Sequence, residues 1–227
     1  MSSAEQRTAV WDAPLRLFHW ALVGLIGFSW WSGEQGLGWM SAHMLAGQAI
    51  LALVAFRVLW GLLGTRHARF ADFLAGPRRV LVDLRGLLRG RPEPHTGHGP
   101  VGGWMVVAIL ALVALQASSG LFASDDIFTE GPLAGRVSGE TSDFLTWAHH
   151  VLFDALLWVV GLHVAAVVLF YPLVARTNLI APMITGRKRL SAPSGSAGGF
   201  GWRVGVRALI LLGLCAAAVY GGVSWAG

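Results

Sequence analysis

Five of the eight histidines lie in or beside apolar segments, where an imidazole is costly and usually has a function. They are His19, His43, His149, His150 and His163. Neutral imidazole nitrogens are common metal ligands and bind haem iron. The other three, His67, His95 and His98, fall in an arginine-rich stretch, and we interpret them as solvated loop residues.

The spacing of His149 and His163 distinguishes these two ligand candidates from the neighbouring His150. On a helix, fourteen residues turn the chain by roughly 1400°, about 40° short of four turns, with a rise of about 21 Å. The two rings would share one helix face at two depths, whereas His150 would be about 140° out of phase with His163. A single zinc ion needs converging ligands, which this separation forbids. Histidines that only form helix–helix hydrogen bonds are the structural alternative.

These histidines lie in segments long enough to cross a membrane, which takes about 20 apolar residues. The chain is 55% hydrophobic and 13% charged, with eleven tryptophans and two tyrosines. We therefore predict an all-α integral membrane protein that is embedded in the lipid bilayer. A four-helix bundle would occupy 1–190, followed by a flexible linker at 191–203 and a fifth membrane helix within 204–227. The predicted spans are about 14–32, 40–63, 101–122, 146–171 and 204–225.

Loop charges predict the orientation of these spans. The 64–100 loop and the segment after the fourth span are rich in arginine, whereas 33–39 and 123–145 are acidic. By the positive-inside rule, the N-terminus is cytoplasmic and the C-terminus periplasmic in a bacterial inner membrane. Because the arginines follow topology, no nucleic-acid partner is expected. We interpret the first apolar run as a retained helix and not as a signal peptide.

Orientation then pairs the histidines by depth. His19 and His163 would meet towards the cytoplasm, and His43 and His149 towards the outside. Each pair suits one six-coordinate haem iron, so two non-covalent haem b groups are predicted. No CxxCH sequence for covalent attachment occurs, and the single Cys215 excludes an intramolecular disulfide. Ligation by two histidines leaves no open coordination site, which favours electron transfer, and we identify no catalytic residue.

Four further residues could support such a centre. Arg57 follows His43 by fourteen residues and would face a haem propionate, with Arg16 as a second candidate. Arg16 could equally reach the lipid headgroups. Asp154 lies four residues after His150 and could handle protons for quinol chemistry with it, or form a structural hydrogen bond. For His150 and Asp154, the structural hydrogen bond is the preferred interpretation.

Several sequence stretches resemble the bacterial cytochrome b561 family, which includes the b-type cytochrome subunit of nickel–iron hydrogenases. They are VWDAPLRLFHW (10–20), FRVLWGLLGTRHARFADF (56–73), GLHVAAVVLF (161–170) and NLIAPMITGRK (178–188), within about 10–190. Members are four-helix membrane proteins with two b haems, and their ligand positions match His19, His43, His149 and His163.

This resemblance implies electron transfer in a respiratory chain between the quinone pool (ubiquinone or menaquinone) and a redox partner. A hydrogenase, a c-type cytochrome or a small oxidant such as superoxide remains open as the partner. The sequence also leaves open whether the chain is part of an oxidoreductase and whether it forms a homodimer. The fifth span departs from the four-helix pattern. A non-redox transporter or assembly subunit is the alternative function.

Overall fold

Five long helices dominate the computed structural model, which describes residues 6–93, 95–125, 127–190 and 201–227. Four are long and apolar enough to cross a membrane within these ranges: Leu37–Leu63, Pro100–Gly120, Gly139–Leu173 and Trp202–Ala226. The fifth, α1 (Ala13–Glu34), has 22 residues and coincides with the predicted span 14–32, but polar side chains such as His19 and Ser29 lower its hydropathy. The all-α membrane fold is confirmed, and membrane crossing by α1 stays a prediction.

The helices in chain order are α1 (Ala13–Glu34), α2 (Leu37–Leu63), α3 (Phe70–Phe73), α4 (Pro77–Leu88), α5 (Pro100–Gly120), α6 (Gly139–Ala165), α7 (Tyr171–Leu173), α8 (Ile180–Thr185) and α9 (Trp202–Ala226). Short 3₁₀ turns cover Arg66–Ala68 and Ala134–Arg136, and a π turn covers Ala166–Phe170 between α6 and α7. Most of the predicted linker, 191–200, lies outside the described residues.

Helix α6 begins at residue 139 and not at 146, where the apolar run starts. Ser138 explains the earlier start, because its hydroxyl accepts the Thr141 N–H (3.3 Å) and its carbonyl accepts the Ser142 N–H (2.9 Å). This cap continues the helix through polar residues. At the other end, the wider π turn precedes Pro172, which has no N–H to donate to the preceding turn.

The 64–100 segment is not a plain loop, so that expectation was wrong. It contains α3 and the twelve-residue α4, which begins with Pro77 in its first turn, a position where the missing N–H costs nothing. A two-stranded antiparallel sheet was also not predicted. It pairs β1 (Gln6–Ala9) with β2 (Arg187–Leu190), with Thr8 opposite Lys188. Both strands are only four residues long and mainly polar, so they lack the apolar alternation that would reveal them.

The chain divides into two compact units. Of the described residues, those within 6–17, 59–108 and 160–208 form the first unit. Its core includes the fully buried Trp60, whose indole N–H donates to Asp12 Oδ2 (3.0 Å). Asp12 also caps α1, because its Oδ1 accepts the Leu15 N–H (2.7 Å). Further buried core residues are Val10, Trp11, Leu15, Ala68 and Phe73.

The second unit comprises 18–58, 109–159 and 209–227. Its core is built where α1, α2, α5 and α6 contribute apolar side chains, of which Val113 is almost fully buried (2% exposed). The other buried apolar residues include Phe18, Leu22, Ala46, Ile50, Phe56 and Leu156. This unit holds a cavity lined by three of the candidate histidines, His43, His149 and His150.

Candidate functional site

His43 projects from the second turn of α2, and a backbone carbonyl of α1 holds its ring. Its Nδ1 lies 2.8 Å from the carbonyl oxygen of Ser29, and the Ser32 hydroxyl is 3.5 Å from the same nitrogen. Only a protonated Nδ1 can donate to a carbonyl, so this contact places the proton on Nδ1. The Nε2 lone pair is then available to a metal, as in metal-binding histidines whose other nitrogen is hydrogen-bonded.

His149 on α6 is held in the same way by α5. Its Nδ1 lies 2.9 Å from the carbonyl oxygen of Gln116, with the Ser119 hydroxyl at 3.3 Å. The side-chain amide of Gln116 donates to Nε2 across 3.2 Å. Because the amide N–H of Gln116 needs an acceptor, its contact with Nε2 requires that this nitrogen carry no proton. A metal bound to Nε2 would take the place of the amide.

The two rings face each other across a short gap. Their centroids are 6.3 Å apart, and their planes are inclined by 79°. Two metal–imidazole bonds of roughly 2 Å, arranged in line, hold the ring centres about 6 Å apart. The separation of the His43 and His149 rings therefore matches that of two imidazoles bound to one metal ion.

The rings border a cavity of about 330 Å³ with a mainly apolar wall. Apolar lining residues include Ile26, Trp30, Met40, Met44, Ile50, Val113, Phe153 and Leu156. Glycines leave room beside each ring: a Cβ at Gly33 would make a tight contact of 3.3 Å with the ring of His43, and one at Gly120 would lie only 2.8 Å from Cε1 of His149. Gly47 also lines the cavity, and a Cβ there would meet open space.

A tight loop contributes Asp125 and Thr129 to the lining of the same cavity. The Asp125 carboxylate accepts the backbone N–H groups of Ile127, Phe128 and Thr129 and the Thr129 hydroxyl. These hydrogen bonds, that of the Thr129 hydroxyl foremost, hold the pKa of Asp125 well below its ordinary value. Ile127 and Phe128 remain exposed at the tip of the loop.

His150 and Asp154, the candidate proton pair, lie on the exposed side of α6. The His150 ring bonds through Nδ1 to the carbonyl oxygen of Thr146 (2.9 Å), one turn earlier, and lines the cavity. Asp154 is exposed and lies one helical turn before the exposed Trp158. The structure therefore brings His150, but not Asp154, to the cavity wall.

The remaining predicted residues are distributed over both units. His19 is half-buried in the second unit, with its ring 5.0 Å from that of Trp20, and His163 is half-buried in the first. Their pairing stays a prediction. Arg57, predicted to face a propionate, is 1% exposed. Arg16 donates to the carbonyl oxygen of Ile184.

The interpretation of His67, His95 and His98 as solvated was wrong. His67 is 8% exposed and bonds through Nδ1 to Asp72 Oδ2 (2.8 Å). His98 packs between Trp11 and Phe73, with centroid distances of 4.5 and 4.9 Å. The reason is that α3, α4 and the β1–α1 connection cover this segment.

His95 is also only partly exposed, with Nε2 3.4 Å from Asp83 Oδ1. The carbonyl oxygen of His95 accepts a hydrogen bond from Lys188 Nζ at 2.6 Å. Burial lowers the pKa of the Lys188 ammonium group. These contacts give the arginine-rich segment a packed interior of its own.

The fold and this site define a multi-pass membrane protein with two facing, metal-competent imidazoles. Residues 10–186 match the family described as prokaryotic cytochrome b561, and the chain belongs to this family. It is thus a b-type cytochrome, a membrane electron-transfer protein of bacteria, as the sequence predicted.

Curated relatives carry one printed name, probable Ni/Fe-hydrogenase B-type cytochrome subunit. The protein from Bradyrhizobium diazoefficiens is 28% identical over 79% of this chain and 85% of its own length. Those from Rhizobium leguminosarum bv. viciae and Azotobacter vinelandii are each 27% identical, covering 81% and 78% of this chain and 89% and 86% of their own. No solved structure matches the chain.

The cavity residues fit the haem b that is typical of this family. Two imidazoles with Nδ1 held by carbonyls, an apolar wall and glycines beside both rings suit a flat apolar macrocycle with axial ligands. Sequence reasoning missed Gln116, Ser119, Gly33 and Gly120. The carbonyl contacts carry no sequence signal, because every residue has a carbonyl; the small residues around Ser119 and Gly120 were the available hint.

Proposed function

We propose that the chain conducts electrons across the membrane through two b-type haems. His43 and His149 are the axial ligands of one, and the sequence-based pair of His19 and His163 holds the other. Haem iron changes oxidation state without releasing its axial ligands, so it supplies one-electron transfer. The protein's part is to fix the imidazoles in the ligating tautomer and to exclude water from the site.

The observation that carries this proposal is the facing pair of His43 and His149. Both rings donate Nδ1–H to backbone carbonyls, at 2.8 and 2.9 Å, and their centres are 6.3 Å apart. Main-chain acceptors belong to helices α1 and α5, so ring orientation does not depend on mobile side chains. Rigid ligation of this kind suits electron transfer, which requires little reorganisation.

The second pair is supported by helix continuity. Helix α6 runs without interruption over Gly139–Ala165, so it carries His149 and His163 fourteen residues apart, about 21 Å along the axis. Helix α2 likewise carries His43 and the buried Arg57 on one continuous segment. A guanidinium binds carboxylates through paired hydrogen bonds, so Arg57 is the proposed contact of a haem propionate. We place His43 and His149 towards the periplasm by the positive-inside rule.

Haem stoichiometry and ligand substitution test the proposal. The purified full chain should contain two haem b per chain and give a low-spin reduced-minus-oxidised spectrum. Replacing His43 or His149 with alanine should remove the same haem, leaving about half of the haem. Replacing His19 or His163 should remove the other. His150→Ala is the matched control and should retain both, since its ring bonds within α6. A protein without a low-spin b signal, or unchanged haem in His149→Ala, would contradict it.

A hydrogenase is the redox partner that we propose, because the named relatives are hydrogenase subunits. Electrons would pass between that partner and the quinone pool. Purified protein with its haems reduced should be reoxidised by a soluble ubiquinone or menaquinone analogue, and co-expression with a nickel–iron hydrogenase from the same genome should yield a stable complex. Exclusive association with a c-type cytochrome would replace the hydrogenase assignment. His150 and Asp154 remain candidates for proton handling.

A further inference from the structure

Helix α4 has an apolar side that lies open on the first unit. Five of its six valine and leucine residues share one side of the helix, namely Val80, Leu81, Leu84, Leu87 and Leu88, whereas the sixth, Val82, lies on the side of Arg89. Leu81 is 51% exposed, Leu84 38% and Leu88 79%. Leu81, Leu84 and Leu88 are neighbours on this twelve-residue helix, so together they form a continuous exposed apolar strip.

The opposite side of α4 is tied to the start of a membrane helix. Asp83 is 7% exposed, and its Oδ2 accepts the N–H of Val101 in the first turn of α5 (3.0 Å). The Trp104 indole N–H, in the same part of α5, donates to the carbonyl oxygen of Ala75, just before α4 (3.0 Å). Because α5 is apolar enough to cross the membrane, its first turns mark the level of the membrane surface. Helix α4 is held at that level.

Arginines flank the apolar strip on one side. Arg78, Arg85 and Arg89 are spaced by seven and four residues, which places them within about 40° of one another on a helix. All three are exposed. The acid of this helix, Asp83, is buried against α5 and does not neutralise the arginine row. The row therefore presents positive charge beside the exposed leucines.

We propose that α4 is an anionic-lipid-binding helix that lies in the membrane surface. Leu81, Leu84 and Leu88 enter the boundary of the acyl chains, and the arginine row binds the phosphates of anionic phospholipids. An apolar strip beside basic residues is the pattern of interfacial helices. Guanidinium groups bind phosphate through paired hydrogen bonds, and anionic headgroups attract basic segments at the membrane surface. The inference rests on α5 as a membrane helix and is independent of the haem assignment.

Lipid retention by the full-length protein tests the arginine row. The protein is reconstituted in bilayers of phosphatidylcholine with or without phosphatidylglycerol, purified, and the bound lipids are counted by native mass spectrometry. The wild type should retain phosphatidylglycerol selectively. Arg85→Gln and Arg89→Gln should each weaken this retention about fivefold, and the double variant more. Arg136→Gln removes the same charge from an exposed site elsewhere and should change nothing.

Hydrogen exchange of the peptide covering α4 tests insertion of the leucines. Exchange should be slower in bilayers containing phosphatidylglycerol than in detergent, and Leu88→Ser should reverse this protection. Leu88 is the most exposed leucine of the strip, so its replacement leaves the fold intact. Equal retention of both lipids, an Arg136→Gln effect as large as that of Arg85→Gln, or equal exchange in detergent and bilayers would overturn the proposal.

Discussion

Two groups of partly or fully buried histidines differ in what holds their rings. In the second unit, His43 and His149 are held by main-chain carbonyl oxygens, at 2.8 and 2.9 Å, beside an apolar cavity. In the first unit, His67 and His95 contact the carboxylates of Asp72 and Asp83, at 2.8 and 3.4 Å. The residue type is the same, and both groups are shielded from solvent, but the partners differ.

The surroundings of each ring indicate its role. A neutral ring that donates Nδ1–H to a carbonyl oxygen keeps its Nε2 lone pair for a metal, and the rings of His43 and His149 border an apolar cavity. The contacts of His67 and His95 with Asp72 and Asp83 instead join these rings to α3 and α4. We therefore propose the carbonyl-held histidines as a ligand pair, whereas the carboxylate-held ones tie α3 and α4 into the first unit.

The largest effect on the carbonyl-held group is expected from filling the space beside the ring of His149. Gly120→Val would place a branched side chain where even a Cβ lies 2.8 Å from Cε1 of His149. We expect this variant to lose the haem of the His43–His149 pair, about half of the total haem. Haem per protein, measured by the pyridine haemochrome method, checks this.

Gly27→Ala is the control for that variant. Gly27 is an exposed glycine of the long helix α1 outside the cavity lining, and its added Cβ meets open space. Haem content should stay at the wild-type level, and helix content measured by circular dichroism should be unchanged in both variants. Full haem retention by Gly120→Val would show that the cavity of His149 is not the haem site.

A smaller effect is expected from the carboxylate-held group. His67→Ala removes a buried ring and its hydrogen bond to Asp72, and should lower the free energy of unfolding by about 1–3 kcal/mol. Haem content should not change, because this ring has a structural role. Thermal unfolding in detergent gives the stability, and Asp72→Asn, which keeps one acceptor oxygen, should cost less. Haem loss without any fall in stability would reverse the distinction between the two groups.

The sequence could predict the long helices because their apolar runs are dictated by length and composition alone. It could also select His149 over His150, since phase along a helix is independent of the partners. It could not predict the burial of His67 or the packing of the His98 ring, because these depend on contacts with α3 and Trp11. The early start of α6 was predictable in principle from Ser138, a residue type that favours helix caps.

The site's supporting residues were harder for a different reason. Ser29 and Gln116 act through their carbonyl oxygens, so their side chains give no sign of the role. Helix α4 was missed because its apolar period spans only three turns between arginines. Both omissions concern tertiary contacts and short elements, where local sequence carries little information.

The smallest effect is expected at Asp125, a carboxylate of the second unit that accepts hydrogen bonds from backbone N–H groups and not from a histidine. Hydrogen bonds to Thr129, Phe128 and Ile127 depress the pKa of Asp125 below its ordinary value of 3.8. A depressed folded pKa means that the loop's stabilisation is fully present above that value and is lost as the pH falls through the lower folded value. The loop should therefore be insensitive to pH from neutrality down to about pH 4 and open only in stronger acid.

Hydrogen exchange of the amides of residues 127–129, corrected for intrinsic rates, checks this and completes the comparison. Asp125→Asn should expose these amides several-fold more at neutral pH, because the amide offers one acceptor oxygen in place of two and has no charge. The haem of the His43–His149 pair should remain bound, since the histidines are held by α1 and α5 and not by this loop. If Asp125→Asn released that haem, the loop would be part of the ligand support, and main-chain carbonyls alone would not explain how the second unit holds its histidines.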